Sequence, residues 1–156
     1  MKNHIFLLTV DVEGIPLQDG HWSYSTIIEG IPLLLDLFRE FDISSTFFVT
    51  SDAAKNTSEV LREIIKGKHE IGCHGSGAQN YTHLRMTAET IRKHLNVNPV
   101  GFRAHRYKIN GETLTSLIRL GYKYDSSVVS SSRVFNRQYS PNSPKTPYHP
   151  SIDNIY

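Results

Sequence analysis

Two kinds of apolar pattern alternate along the first 125 residues of this chain. Short β-branched and aromatic runs are typical of buried strands, and longer stretches with an apolar residue every three or four positions are typical of helices. The runs predict strands at residues 5–13, 46–50, 69–74, 100–103 and 122–125, and the longer stretches predict helices at 25–38, 57–66, 87–95 and 110–120. This alternation predicts an α/β fold with a parallel sheet, either doubly wound or closed into a barrel.

From residue 126 onward the alternation stops, and the remaining segment is rich in serine and proline. No regular element is predicted there, because prolines recur at Pro141, Pro144, Pro147 and Pro150. The sequence shows no internal repeat and no hinge, so residues 1–156 are predicted to form a single domain.

Composition narrows the classes of partner and compartment. Seventeen Lys and Arg against fifteen Asp and Glu give a net charge of +2, which is too balanced to favour nucleic acid or an anionic membrane. No segment approaches the roughly 18 apolar residues of a membrane span, and the apolar N-terminal run is too short for a signal peptide. Cys73 is the only cysteine, so an internal disulfide is excluded. We therefore expect a cytoplasmic protein.

The first predicted strand ends in two carboxylates, Asp11 and Glu13. Strand side chains alternate between faces, so these two leave the strand end on the same side. Neighbouring acids repel each other unless a cation, a proton or an arginine lies between them. Parallel α/β folds carry their chemistry at this end of the strands. A solvated loop with two acids by chance explains the stretch equally well.

The third predicted strand contains two of the eight histidines of the chain, His69 and His74. Eight histidines are many for a chain of this length and favour a metal or proton-transfer site. Alternation places His74 on one face and Cys73 on the other, so a Cys–His nucleophilic pair is not expected. Cys73 is predicted to be a small core residue. His74 would stand across the site from the two carboxylates, and a carboxylate with imidazoles is a common ligand set for Zn²⁺. A lone histidine at a strand end is nevertheless more often structural.

Three segments in order, TVDVEG, HEIGCHG and GFRAHRYKINGETLTSLIRLGYKYDSS, resemble the successive motifs of the polysaccharide deacetylase family, the NodB-homology domain. The resemblance is closest to the branch whose first motif is Asp-x-Asp/Glu. It implies a (β/α) barrel and a hydrolase that removes N-acetyl or N-formyl groups from amino sugars with a divalent metal. Zn²⁺ is the first expectation, with Co²⁺ or another divalent ion as alternatives.

The resemblance also assigns roles to individual residues. It implies that Asp11 is the general base towards the attacking water, and that Arg103 pairs with Asp11 and holds it. Glu13 and His74 would be metal ligands. Asp125 matches an acidic position in the fourth motif, and we expect it to take part in catalysis.

The chain departs from the family pattern at two positions near these residues. The second motif of the family has two metal-binding histidines four residues apart, and Ala78 stands at the second of these positions. His83, five residues further along a predicted loop, is a candidate substitute ligand. His105 stands where the family usually has proline; it is either a replacement ligand or acid, or an exposed turn histidine, and the turn histidine is the simpler expectation.

A third departure concerns the end of the chain. The Leu-x-His motif of the family, whose histidine protonates the leaving amine, does not follow Ser126, and His149 in PYHPS does not resemble it. The prediction is thus an incomplete barrel of about five strands and four helices, truncated at its C-terminal side. Its open sheet edge would favour self-association.

Two main functional hypotheses remain. One is a metal-dependent deacetylase or related C–N hydrolase acting on a carbohydrate or lipid-linked amino sugar. The other is a non-catalytic, carbohydrate-binding remnant, which Ala78 and the missing last motif favour. An unrelated α/β protein with chance motifs is a weaker third reading.

Overall fold

A computed structural model describes residues 6–77 and 79–128. Its centre is a five-stranded sheet in the order β1-β4-β5-β6-β7, in which every neighbouring pair is parallel. The predicted α/β class and the parallel sheet are therefore confirmed. The strands are β1 Thr9–Val12, β4 Thr46–Val49, β5 Glu70–Gly75, β6 Gly101–Ala104 and β7 Tyr124–Asp125.

Five helices connect the strands, one more than the sequence predicts. They are α1 Ser25–Glu40, α2 Ser51–Asn56, α3 Ser58–Lys66, α4 Tyr81–Leu95 and α5 Gly111–Arg119. The additional helix, α2, is capped by the preceding residue, Thr50, whose side chain accepts a hydrogen bond from the Ala53 amide at 3.2 Å. Six residues are too few to show a helical apolar period, so this helix has no clear signal in the pattern.

Helix α4 begins six residues earlier than predicted, at Tyr81 rather than at residue 87. The Asn80 side chain caps it by accepting a hydrogen bond from the His83 amide at 2.9 Å. His83 thus lies in the first turn of a helix, and its predicted position in a loop was wrong. A second missed element is a short antiparallel hairpin directly after β1, formed by β2 Ile15–Pro16 and β3 Trp22–Ser23.

One face of the sheet packs against the helices and forms the core. Alternate strand residues on this face join the same buried cluster as the apolar stripes of the helices, among them Val12, Phe47, Val49, Cys73, Phe102 and Ala104. Cys73 is fully buried in this cluster, which confirms its prediction as a core residue. The opposite face carries the polar side chains Asp11, His74 and Arg103.

The polar face has an aromatic floor that depends on Gly72. A Cβ atom at this position would lie 2.6 Å from Cδ1 of Phe48, so only glycine lets the Phe48 ring lie across β5. Tyr124 covers Gly101 in the same way and meets Phe48 at a ring-centroid distance of 6.4 Å. This aromatic floor lies beneath the guanidinium of Arg103.

Within residues 6–77 and 79–128, no helix is both long and apolar enough to cross a membrane. Strands β1 and β7 lie at the two edges of the sheet. Ala78, His149 and the four prolines of the C-terminal segment lie outside the described residues.

Candidate active site

The carboxyl ends of β1, β5 and β6 bring together the residues that the sequence singles out. In the sheet, His74 on β5 is paired in register with Arg103 on β6. Asp11 on β1 is paired with Phe48 on β4, and the Arg103 guanidinium lies 4.3 Å above the centroid of the Phe48 ring. The arginine therefore spans from β6 to β1 across the aromatic floor.

Arg103 is buried and donates four hydrogen bonds. One NH1 group reaches both Asp11 Oδ1 and Thr9 Oγ1, each at 2.9 Å. The other two donors reach the Ser126 carbonyl at 3.3 Å and the Ser126 hydroxyl at 2.8 Å. Among the described residues, Asp11 accepts the side-chain hydrogen bond from Arg103 with Oδ1, which leaves Oδ2 available as an acceptor. Thr9 and Ser126 both lie in the quoted motif segments, but nothing in the sequence indicated that either hydroxyl would contact Arg103.

Glu13, His74 and His105 form a second group beside this ion pair. One ligand atom from each side chain lies within 4.8 Å of the other two. Glu13 Oε2 is 3.0 Å from His105 Nδ1 and 3.8 Å from His74 Nε2. His105 is the first residue of a 3₁₀ turn, His105–Tyr107, and its side chain is 36% exposed, so the expected turn position is found, with Nδ1 facing Glu13.

The surroundings of His74 prepare it to act as a ligand. Its Nδ1 lies 3.0 Å from the Arg103 carbonyl, which can only accept, so Nδ1 carries the proton and Nε2 keeps its lone pair. Burial lowers the pKa of His74 and outweighs the opposing influence of Asp11. The imidazole is therefore neutral at neutral pH, which is the form that binds metals.

The three side chains fit a divalent cation. Zn²⁺ binds histidine nitrogen and carboxylate oxygen at roughly 2.0–2.2 Å, which in a tetrahedron separates ligand atoms by roughly 3.3–3.5 Å. The distances of 3.0 and 3.8 Å from Glu13 Oε2 lie on either side of this range. The Arg103 carbonyl behind His74 supplies the outer hydrogen bond that usually orients a metal-binding histidine.

Asp125 lies at the end of β7, and its contacts are with Ser127. The Ser127 hydroxyl donates to Asp125 Oδ1 at 2.5 Å and the Ser127 amide to Oδ2 at 2.9 Å. The same hydroxyl accepts from the Ala104 amide at 2.8 Å, so this arrangement links β7 to the end of β6. Burial raises the pKa of Asp125 above its usual value. The catalytic role expected for Asp125 thus stays a prediction, and its contacts show a positioning of the strand end.

His83 is not part of the group formed by Glu13, His74 and His105. Its Nε2 atom is buried and makes no hydrogen bond within the described part of the chain. The histidine that lies beside Glu13 and His74 is His105, and the ligand role expected for His83 stays a prediction. The sequence signal that could have pointed to His105 is its spacing, because His105 comes two residues after Arg103, just as Glu13 comes two residues after Asp11.

This combination of a parallel α/β sheet and an acid–arginine–histidine site at its carboxyl end defines a hydrolase-like domain of the NodB type. The profile of the polysaccharide deacetylase family matches residues 19–124, so the chain belongs to that family.

Individual relatives agree with this assignment. A curated peptidoglycan deacetylase from Helicobacter pylori is 30% identical over 111 residues, which span 64% of this chain and 37% of that protein. A solved Mycobacterium smegmatis protein classed with the polysaccharide deacetylases has a TM-score of 0.70 and 27% identity over 80% of this chain and 51% of its own. The chain therefore spans between about a third and a half of these relatives.

A more distant likeness concerns the fold alone. A CE4 family pseudoenzyme from Bacillus anthracis has a TM-score of 0.60 and 16% identity, over 76% of this chain and 41% of its own. The fold thus supports members described as inactive as well as members named as deacetylases.

Proposed function

We propose that this domain is a metal-dependent hydrolase that removes N-acyl groups from amino sugars of a glycan. The observation that carries the proposal is the Asp11–Arg103 ion pair, 2.9 Å long, beside the convergent side chains of Glu13, His74 and His105. Hydrolysis of an unactivated amide requires a general base and a cation site next to it, and these residues could supply both.

The residues divide the work according to their environments. Arg103 fixes Oδ1 of Asp11 by a hydrogen bond, so that the other carboxylate oxygen would take a proton from the attacking water. Glu13 and His74 would hold the metal. When bound there, a divalent ion lowers the pKa of water and polarises the amide oxygen of the substrate. The aromatic floor beneath Arg103 keeps this geometry rigid.

The name of one relative supports a glycan as the substrate class. The H. pylori relative is named a peptidoglycan deacetylase, which supports an N-acetylated glycan as the substrate of this chain. A lipid-linked amino sugar carries the same amide and is the second substrate to assay.

The test is acetate release from N-acetylglucosamine oligomers, from peptidoglycan and from a lipid-linked N-acetyl amino sugar, each with added Zn²⁺ or Co²⁺. We expect release with at least one substrate, and a loss of about 10²–10⁴-fold in Asp11→Asn, the usual contribution of a general base. Glu29→Gln, on the exposed surface of α1, is the matched control and should retain full activity.

A non-catalytic domain that only binds glycan is the alternative. Ala78 favours it, because alanine supplies no ligand atom at a position where the family binds metal. Glycan binding by the wild-type chain without acetate release, with metal present, would support this alternative and refute the proposed hydrolase.

A further inference from the structure

We infer that His105 is the third protein ligand of the metal site, so that the ion is held between β1, β5 and β6 and position 78 is not needed. The inference rests on the proposed function, because it concerns the ion on which that function depends. It is carried by the positions of Glu13, His74 and His105 and by the strand register that produces them.

Strands β1 and β6 meet through two consecutive contacts of the same kind. Asp11 lies on β1, and Glu13 directly follows the last strand residue, Val12, which is buried in the core on the opposite face. Arg103 lies on β6, and His105 directly follows the last strand residue, Ala104, which is also buried in the core; His105 is the first residue of a 3₁₀ turn, His105–Tyr107. The contacts Asp11–Arg103 and Glu13–His105 show that all four polar side chains lie on the same side of the sheet.

These four side chains pair in order across the site. Asp11 meets Arg103 at 2.9 Å, and Glu13 meets His105 at 3.0 Å. The pair further along the strands is the one beside His74, whose Nε2 lies 3.8 Å from Glu13. His105 thus lies one residue beyond the end of β6, next to the strand residues that position Arg103.

The backbone after His105 is unusual in a way that supports a functional role. Arg106 and Tyr107 both have positive φ angles, 53° and 57°. Non-glycine residues in this conformation cost roughly 1–2 kcal/mol each, and such strain concentrates at functional sites. Here the strained turn directly follows the histidine that faces Glu13.

Arg103 and His105 also combine three tasks in one tripeptide. The Arg103 side chain holds Asp11, the Arg103 carbonyl orients His74, and His105 faces Glu13. Base and metal would consequently be positioned by the same strand end. Such an arrangement compensates for the absence of a ligand at position 78 without moving Glu13 or His74.

The experiment is a titration of the metal-free wild-type chain with Zn²⁺ alone, followed by calorimetry, together with three variants. We expect wild type and His83→Ala to bind one Zn²⁺ with equal affinity. His74→Ala and His105→Ala should bind at least about 100-fold more weakly, since loss of even an outer-shell partner typically costs 10–100-fold. Circular dichroism checks that each variant is folded. A folded His105→Ala that binds within about threefold of wild type would overturn the inference.

A second measurement leaves His105 intact and therefore does not depend on how that variant folds. In the Co²⁺-loaded protein, each ligating imidazole contributes one exchangeable, paramagnetically shifted N–H proton signal. Two signals in both wild type and His83→Ala support His74 and His105 as the ligands. A single signal in either protein contradicts this assignment.

The outcomes separate the inference from the proposed function. If the wild-type chain releases acetate in a chelator-sensitive reaction but His105→Ala retains its metal affinity, only the ligand assignment fails. If the wild-type chain binds neither Zn²⁺ nor Co²⁺, the assignment fails together with the metal dependence of the proposed function.

Discussion

Replacing Arg103 by methionine tests whether this arginine holds the site together. Methionine keeps an unbranched apolar stem over the Phe48 ring but removes every donor of the guanidinium. The variant therefore loses the hydrogen bonds to Thr9, Asp11 and Ser126 while retaining much of the packing. Because these partners lie on β1 and beyond β7, the loss disconnects strand ends that are far apart in sequence.

The magnitude follows from how exposed the partners are. Breaking a fully buried ion pair by removing one partner costs about 3–5 kcal/mol. Asp11 is 34% exposed at its side chain, so water can solvate its carboxylate once the arginine is gone. The hydroxyls of Thr9 and Ser126 lose donors that contribute roughly 0.5–1.5 kcal/mol each. We therefore expect Arg103→Met to lower the free energy of unfolding by about 2–4 kcal/mol.

Urea unfolding followed by circular dichroism measures this free energy. Arg106→Met makes the same chemical change at an exposed neighbour and should stay within about 0.5 kcal/mol of wild type. A double-mutant cycle with Asp11→Asn should give a coupling energy of about 1 kcal/mol or more, because the two side chains are in direct contact. A loss below about 1 kcal/mol in Arg103→Met, or one equal to that of the control, would refute the reasoning.

Three further predictions concern stability. Gly72→Ala should lower the free energy of unfolding in urea by about 1–3 kcal/mol, because its Cβ would lie 2.6 Å from Phe48. The control Gly30→Ala, in open space on α1, should instead raise this free energy by about 0.5–1 kcal/mol. Equal effects of the two substitutions would contradict the role of the aromatic floor. Burial raises the pKa of the Cys73 thiol to about 12, so the native chain keeps a proton that the unfolded chain releases. The Cys73 thiol should therefore lower the free energy of unfolding by about 1.4 kcal/mol per pH unit between pH 9 and 12. In Cys73→Ala, the dependence of the unfolding free energy on pH should lack this contribution. Arg106→Gly should raise the free energy of unfolding by up to about 1 kcal/mol by relieving its positive φ, and a loss instead would show that the turn is not strained.

The sequence predicts the sheet well because each strand is marked by local composition. TFFVT, for example, consists only of β-branched and aromatic residues, which favour a strand, and β4 extends over Thr46–Val49 of this segment. Helix α2 and the early start of α4 escape prediction for a different reason. Helix α2 has only six residues, and the Asn80 cap lies four residues before Leu84, the first buried apolar residue of α4, so no apolar period marks either start.

The site was predictable in its residues but not in its pairings. Asp11, Glu13, His74 and Arg103 all lie where the strand ends were predicted to converge. The contact between Glu13 and His105 joins positions 92 residues apart, which follow two strands, β1 and β6, that are not neighbours in the sheet. Register between strands that are not neighbours in a sheet is set by the curvature of the whole sheet, which local patterns do not encode.

This difference between residues and pairings bears on how a missing ligand should be interpreted. A motif comparison places the loss at Ala78 and by itself favours an inactive domain, since two protein ligands hold a divalent ion poorly. The proposed third ligand atom comes instead from His105, which follows β6 and lies 3.0 Å from Glu13. On this proposal, a substitution at one motif position is compensated by a side chain next to another strand end at the same edge of the sheet. Loss of activity in a member of this fold therefore follows from an incomplete set of ligand atoms around one point, and not from the absence of any one motif residue.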